Sequence, residues 1–236
     1  EYNPGMIEVS LTQKIVAWVL PVLFAITVHE VAHGWVARQL GDNTAMMMGR
    51  LTLNPVRHID PVGSILIPGM LLLMQAGFIF GWAKPVPITW QNLGRPKSDM
   101  VLVAAAGPLS NFCMAVIWAL ITRMVLLTGS EFAQPLLFMG VAGIFINVVL
   151  MLLNLLPLPP LDGGRVVAGL LPGQWSVRFS RIEPYGIWIL IALLLTGVLG
   201  WLLWPVLEFI LHMLAQVSGL PARVFDQILK ALMSSG

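Results

Sequence analysis

The sequence predicts an all-α polytopic membrane protein. Five to six transmembrane helices are expected, with one further re-entrant or extended membrane-associated segment. Three observations predict this. First, 58% of the residues are hydrophobic and only 10% are charged, with a mean hydropathy of +0.86. A soluble domain carries about 25% charged residues, so this chain has too little polar surface to cover a water-soluble globule. Second, five apolar runs approach or exceed the ~20 residues that a membrane helix needs. Third, neither a polar linker nor an internal repeat interrupts them. Residues 11–217 are therefore expected to form one membrane-embedded domain. They lie between an N-terminal tail (1–10) and an amphipathic C-terminal tail (218–236).

Other classes are excluded on the same grounds. The 22 Gly and 17 Pro show no collagen-like period. A single cysteine, Cys113, excludes an intrachain disulfide framework. The net charge of +2 is too small for a nucleic-acid footprint, so no nucleic-acid partner is expected. Residues 1–5, ahead of Met6, read as an expression scar, and no cleavable signal peptide is evident.

Taken in order, the first run covers 11–40, with a bend expected at Pro21. The second, 62–80, is interrupted by Pro68-Gly69 and Gly77. It either crosses or dips into the membrane and returns. If it returns, Arg50, Arg57, Lys84, Arg95, Lys97, Arg165, Arg178 and Arg181 fall on one side. That is a clear positive-inside bias, and it favours the re-entrant reading with these loops cytoplasmic. The third and fourth runs cover 100–127 and 135–156. The fifth, 185–217, is long enough for two short passes broken near Trp204-Pro205. Residues 221–233 place Val224, Ile228, Leu229 and Leu232 on one face, the pattern of an interfacial amphipathic helix. Trp82, Trp90, Trp201 and Trp204 suit an aromatic belt.

Three ionisable residues interrupt the first run: His29-Glu30-Val31-Ala32-His33. Such groups inside a membrane helix are costly and mark function by default. At about 100° per residue the two histidines lie about 40° apart on one helix face, where they can share a cation. Glu30 is placed beside them to act on water. This HExxH pattern is the helix-borne zinc site with a glutamate general base.

A catalytic zinc takes three protein ligands. Candidates for the third are the other acids, His58, His212 and Cys113. Depth favours Asp162. The histidines sit about 10 to 16 Å from the cytoplasmic end of their helix. Asp162 follows the fourth run in Asn154-Leu155-Leu156-Pro157-Leu158-Pro159-Pro160-Leu161-Asp162-Gly163-Gly164. Its prolines forbid regular helix, and its glycines permit close backbone approach. Asp60 is the next candidate, although it reads more as a turn or helix start.

Three blocks together resemble the site-2 protease family of intramembrane zinc metalloproteases. They are His29–His33, Gly107-Pro108-Leu109-Ser110-Asn111, and Asn154…Pro157…Leu161-Asp162-Gly163. His58–Gly63 and Phe80–Pro87 are similar to the compact branch of that family, which lacks PDZ and CBS domains. The resemblance covers about residues 15–170. It implies one catalytic Zn2+ on His29, His33 and Asp162, with Glu30 as general base. It also implies hydrolysis of a peptide bond in or near a transmembrane segment of a membrane-anchored substrate protein.

On that reading Asn111 and Asn154 are candidate substrate contacts, Asn111 being also a candidate oxyanion donor. Asn147 reads as a packing residue. The extended Gly81–Pro87 stretch would pair with an unwound substrate. A multi-pass location in a prokaryotic cell membrane is expected, with the site facing the cytoplasm. Two other classes compete: a metal-ion transporter using the same three ligands, and a zinc-binding membrane scaffold without catalysis. The absence of visible inverted repeats argues against the first, and an intact Glu30 against the second.

Overall fold

A computed structural model describes residues 9–74, 81–129 and 133–234. The scar read at 1–5, the end of the second apolar run and the 130–132 turn lie outside the described residues. Ser10 opens the first helix, α1 (Leu11–Gln39). Its hydroxyl accepts from Gln13 N while the Gln13 side chain accepts from Ser10 N, a reciprocal cap. Pro21 lies inside α1.

A short α2 (Thr44–Met47) follows, then a 3-10 turn Pro55–His58 and a π-helical turn Pro61–Leu66 that runs into α3 (Ile67–Leu73). The chain then returns. Trp82 N donates to Gly63 O at 3.1 Å and Lys84 N to His58 O at 2.9 Å. The residues on either side of the second apolar run are thus hydrogen-bonded to each other, the juxtaposition that the re-entrant reading expects. The segment continues extended to a 3-10 turn at Trp90–Asn92.

Next come α4 (Pro96–Thr128) and α5 (Ala133–Asn154), which form the main helix pair with α1 across them. Lipid tails provide no hydrophobic drive between helices, so close packing must hold them together. Small residues supply it. Ala115 and Ala119 are buried on α4 and Ala142 on α5. Gly140 lies against Thr122, and Gly143 lies flat under the Trp118 ring, where a Cβ would collide.

After α5 come α6 (Asp162–Leu170), α7 (Gly173–Ser180), α8 (Glu183–Leu195), α9 (Val198–Ser218) and α10 (Ala222–Met233). Among the described residues four helices, α1, α4, α5 and α9, are long and apolar enough to cross a membrane. The five to six expected passes therefore resolve into these four and shorter apolar helices. At 1.5 Å per residue, the 13 residues of α8 reach about 20 Å, short of a ~30 Å hydrocarbon core.

The fifth run does split, but at Gly197 and not near Trp204-Pro205. Gly197 has φ 73°, a left-handed conformation that ends α8 and suits glycine. Pro205 instead lies within α9. Loss of one backbone donor is tolerated in a membrane helix whose neighbours rebuild the packing.

The tail helix α10 is amphipathic, but its apolar face does not meet lipid. Phe225, Ile228, Leu229 and Leu232 are buried in the main core with α5 and α9 residues. Lys14 Nζ donates to Ser234 O at 2.6 Å, which ties the tail to the start of α1. The integral membrane protein thus has both described ends together, at the end of the bundle away from His33.

Candidate metal centre

One turn of α1 carries His29 and His33 to the centre of the bundle, where both are buried. The sharp return after α5 brings Asp162 to them. Leu158 N donates to Leu156 O and Leu161 N to Leu158 O, which coils the proline-rich stretch back on itself. The first turn of α6 then lies directly on that backbone. A Cβ on Gly163 would strike Leu155 O, and one on Gly164 would strike Pro159 N. The glycine pair is therefore what lets Asp162 approach α1.

Three ligand atoms converge. His29 Nε2 and His33 Nε2 are 3.1 Å apart, and each is 3.2 Å from Asp162 Oδ2. Their hydrogens are elsewhere. His33 Nδ1 lies 2.7 Å from Val103 O, which can only accept, so Nδ1 carries the proton. His29 Nδ1 lies 2.6 Å from Asn111 Oδ1 and donates to it. In the neutral rings both Nε2 atoms are then bare lone pairs. Asp162 Oδ2 is buried and receives no hydrogen bond.

Three electron-rich atoms facing one another in a low-dielectric interior are unfavourable without a cation between them. The spacing fits one. Ligands at 2.0–2.1 Å from a tetrahedral zinc lie about 3.3 Å from each other. Gly107 of α4 forms the wall behind them: a Cβ there would fall on His33 Nε2 and on the His29 ring. Among the described residues His29, His33 and Asp162 form a buried group able to hold a metal ion.

Glu30 stands beside this group. Its Oε2 accepts from Val86 N at 2.8 Å, so the returning extended segment holds one carboxylate oxygen. That segment is itself anchored. Arg50, nine-tenths buried, donates to Lys84 O and Pro85 O, and Val86 packs against Gly34.

The other sequence candidates lie apart from the metal group. His58 Nε2 donates to Thr52 O within its own loop. His212 faces Asp226 between α9 and α10. Cys113 is exposed. Asp60 Oδ1 caps the π-helical turn, accepting from Val62 N and Gly63 N. Asn154 bonds back to Leu150 O in its own helix.

Asn111 is completely buried. Its two amide hydrogens go to Ala25 O and Asn147 Oδ1, and its oxygen goes to His29. Its polar groups are thus engaged within the protein, the oxygen toward His29. Sequence reasoning did not place Gly107 against the two histidines or Val86 N–H on Glu30. Gly107 sits in a motif that was noticed, but its contact with α1 comes from helix packing.

The model of peptidase family M50 matches residues 125–197, which include Asp162. A Bacillus subtilis (strain 168) protein described as "Putative zinc metalloprotease YwhC" is 39% identical over 194 residues, covering 80% of this chain and 85% of its own length. Two mycobacterial proteins described as "Putative zinc metalloprotease Rip2" are also similar. The one from Mycolicibacterium smegmatis is 29% identical over 179 residues, 75% of this chain and 66% of its own length. The one from Mycobacterium tuberculosis (strain H37Rv) is 28% identical over 211 residues, 86% of this chain and 78% of its own length. No solved structure matches.

Proposed function

The chain belongs to the site-2 protease family, peptidase family M50, and from that premise we propose that it is an intramembrane zinc endopeptidase. It hydrolyses a peptide bond in or near a transmembrane segment of a membrane-anchored protein. The observation that carries this reading is the triangle of three unprotonated ligand atoms with a carboxylate beside it.

His29, His33 and Asp162 would hold one zinc ion, which when bound would supply a Lewis acid for the scissile carbonyl and lower the pKa of a water to near neutral. Glu30 Oε2 is held by Val86 N–H, so Oε1 is the atom that takes a proton from water and returns it to the leaving amine. Asn154 Oδ1 takes no hydrogen bond from the described residues, so it is available to a substrate N–H. A substrate helix hides its amides in its own hydrogen bonds and must unwind before attack. The fixed, extended Gly81–Pro87 backbone gives an unwound strand something to pair with.

The positive-inside pattern supports a cytoplasmic location for the site. Arg38, Arg50, Arg57, Lys84, Arg95, Lys97, Arg165, Arg178 and Arg181 lie toward the metal end. Lys14, Arg123, Arg223 and Lys230 lie toward the other. The relatives' bacterial sources support a prokaryotic cell membrane.

The test uses the detergent-purified chain with a model membrane-spanning substrate. About one zinc per chain is expected in both the native protein and Glu30→Gln, with cleavage only in the native protein. Equal cleavage by Glu30→Gln would overturn the role of Glu30. Zinc-dependent cation flux in vesicles without cleavage would overturn the protease reading in favour of transport.

A further inference from the structure

His29 can offer Nε2 to a metal only while its proton stays on Nδ1. Yet its Nδ1 faces a side-chain amide, which can present either oxygen or nitrogen. The partner that sets this choice lies on α5, which carries no metal ligand. Asn147 is completely buried, and its Nδ2 donates to Gly143 O at 2.8 Å. That carbonyl only accepts, so Asn147 must turn its Oδ1 the other way, where it accepts from Asn111 Nδ2 at 3.0 Å. The second hydrogen on Asn111 Nδ2 goes to Ala25 O at 3.2 Å, again an acceptor only. With both hydrogens committed, Asn111 faces His29 Nδ1 with its oxygen, at 2.6 Å.

We propose that Asn147 is a positioning residue for the metal centre: by fixing the Asn111 amide it locks His29 in the tautomer that leaves Nε2 free to bind. The proposal rests on the reading of His29 as a metal ligand. The two histidines differ in this respect. A backbone carbonyl, Val103 O, sets the tautomer of His33 and cannot be reversed. The amide facing His29 can be, so it needs a reference outside the site. Gly143 O supplies that reference on α5 and Ala25 O supplies it on α1. Outer partners of metal-bound histidines commonly alter affinity 10–100-fold.

Asn147→Leu keeps the number and branching of side-chain heavy atoms, with a somewhat larger volume, and removes the acceptor. One Asn111 hydrogen is then stranded, and the reversed amide comes closer in energy. Asn147→Asp, when protonated, still donates to Gly143 O and accepts from Asn111. Because the Ala25 anchor remains, the loss in Asn147→Leu should be smaller than in Asn111→Leu.

The test titrates Co2+ into the metal-free full chain in detergent against a competing chelator. Absorption of the tetrahedral ion and the melting temperature are followed together. Expected are one Co2+ per native chain, about tenfold weaker binding in Asn147→Leu, and binding within about threefold of native in Asn147→Asp. In an Asn111→Leu background, Asn147→Leu should have no further effect. If Asn147→Leu does not fold, Asn147→Ser is used; its hydroxyl can reach Gly143 O but not Asn111, and it should show the same loss. Unchanged affinity in a folded Asn147→Leu or Asn147→Ser would overturn the proposal. So would additive losses with Asn111→Leu, or an equal loss in Asn147→Asp. If native protein binds no Co2+, or His29→Ala binds as well as native, the metal site itself is overturned. Native binding lost in His29→Ala but unmoved at Asn147 overturns the positioning role alone.

Discussion

Val103 O and Asn111 Oδ1 each accept a hydrogen bond from the far side of a histidine ring, and so leave two bare nitrogens 3.1 Å apart. On the proposed function, atoms that would not touch the metal therefore help to set its affinity. Gly107 makes the same point through space. Its missing side chain is the room the two rings occupy. Gly107→Ala should abolish stoichiometric metal binding, because the new methyl group overlaps both ligands. Ala is also a better helix former than Gly by about 1 kcal/mol, so α4 itself should not weaken. Zinc content beside the helical circular dichroism of the purified variant checks this; a native zinc content would sink it. The His29, Glu30 and His33 pattern was legible in the sequence because i and i+4 always share a helix face. Gly107 was not legible as a wall, since nothing in a sequence says which face of α4 meets which turn of α1.

At the scale of elements, the extended segment after α3 is held by side chains where its prolines remove backbone donors. Its far end is fixed by Asp42, at the end of α1. The Asp42 carboxylate accepts from Thr44 N, Thr44 Oγ1, Thr89 N and Asn92 Nδ2. Burial by itself would raise its pKa. Hydrogen bonds from Thr44 and Asn92, then from the Thr89 and Thr44 backbone, outweigh burial and hold it below the ordinary 3.8.

A depressed carboxyl pKa contributes stability that is full above the ordinary value and fades as pH falls below it. Asp42→Asn should therefore melt below the native protein at pH 6, by an amount corresponding to about 1–3 kcal/mol for a charged acceptor. The difference should shrink as the pH is lowered past 4 toward 2. Melting curves of both proteins across that range read it, and a gap that stays constant would refute it. Since this knot and Arg50 hold the segment that donates Val86 N–H to Glu30, the same variant should also lower cleavage without changing zinc content.

For the molecule as a whole, topology is the decisive quantity. Among the described residues α1, α4, α5 and α9 are long and apolar enough to cross, and on the proposed arrangement the 62–80 run and the short α8 do not carry the chain to the other side. The metal end therefore collects the long loops, and α10 closes the opposite end. Single cysteines at Lys84, Gln174 and Gln227, placed in a Cys113→Ser background, test this in intact cells with a membrane-impermeant thiol reagent. Residue 227 should label without permeabilisation, and residues 84 and 174 only after it. Opposite labelling of 84 and 174 would overturn the arrangement, because it would put the two halves of the site on different faces.

Primary structure alone established the class of the molecule and the paired histidines with their glutamate. Those features depend on composition and on periodicity within a few residues, which no packing can alter. It also pointed to Asp162, through the break in hydropathy that its prolines and glycines create. Folding alone decided that α8 turns back at Gly197, that the apolar face of α10 covers protein instead of lipid, and that Asn111 faces His29. Each of these depends on the distance between groups far apart along the chain, and that distance exists only once the helices have packed.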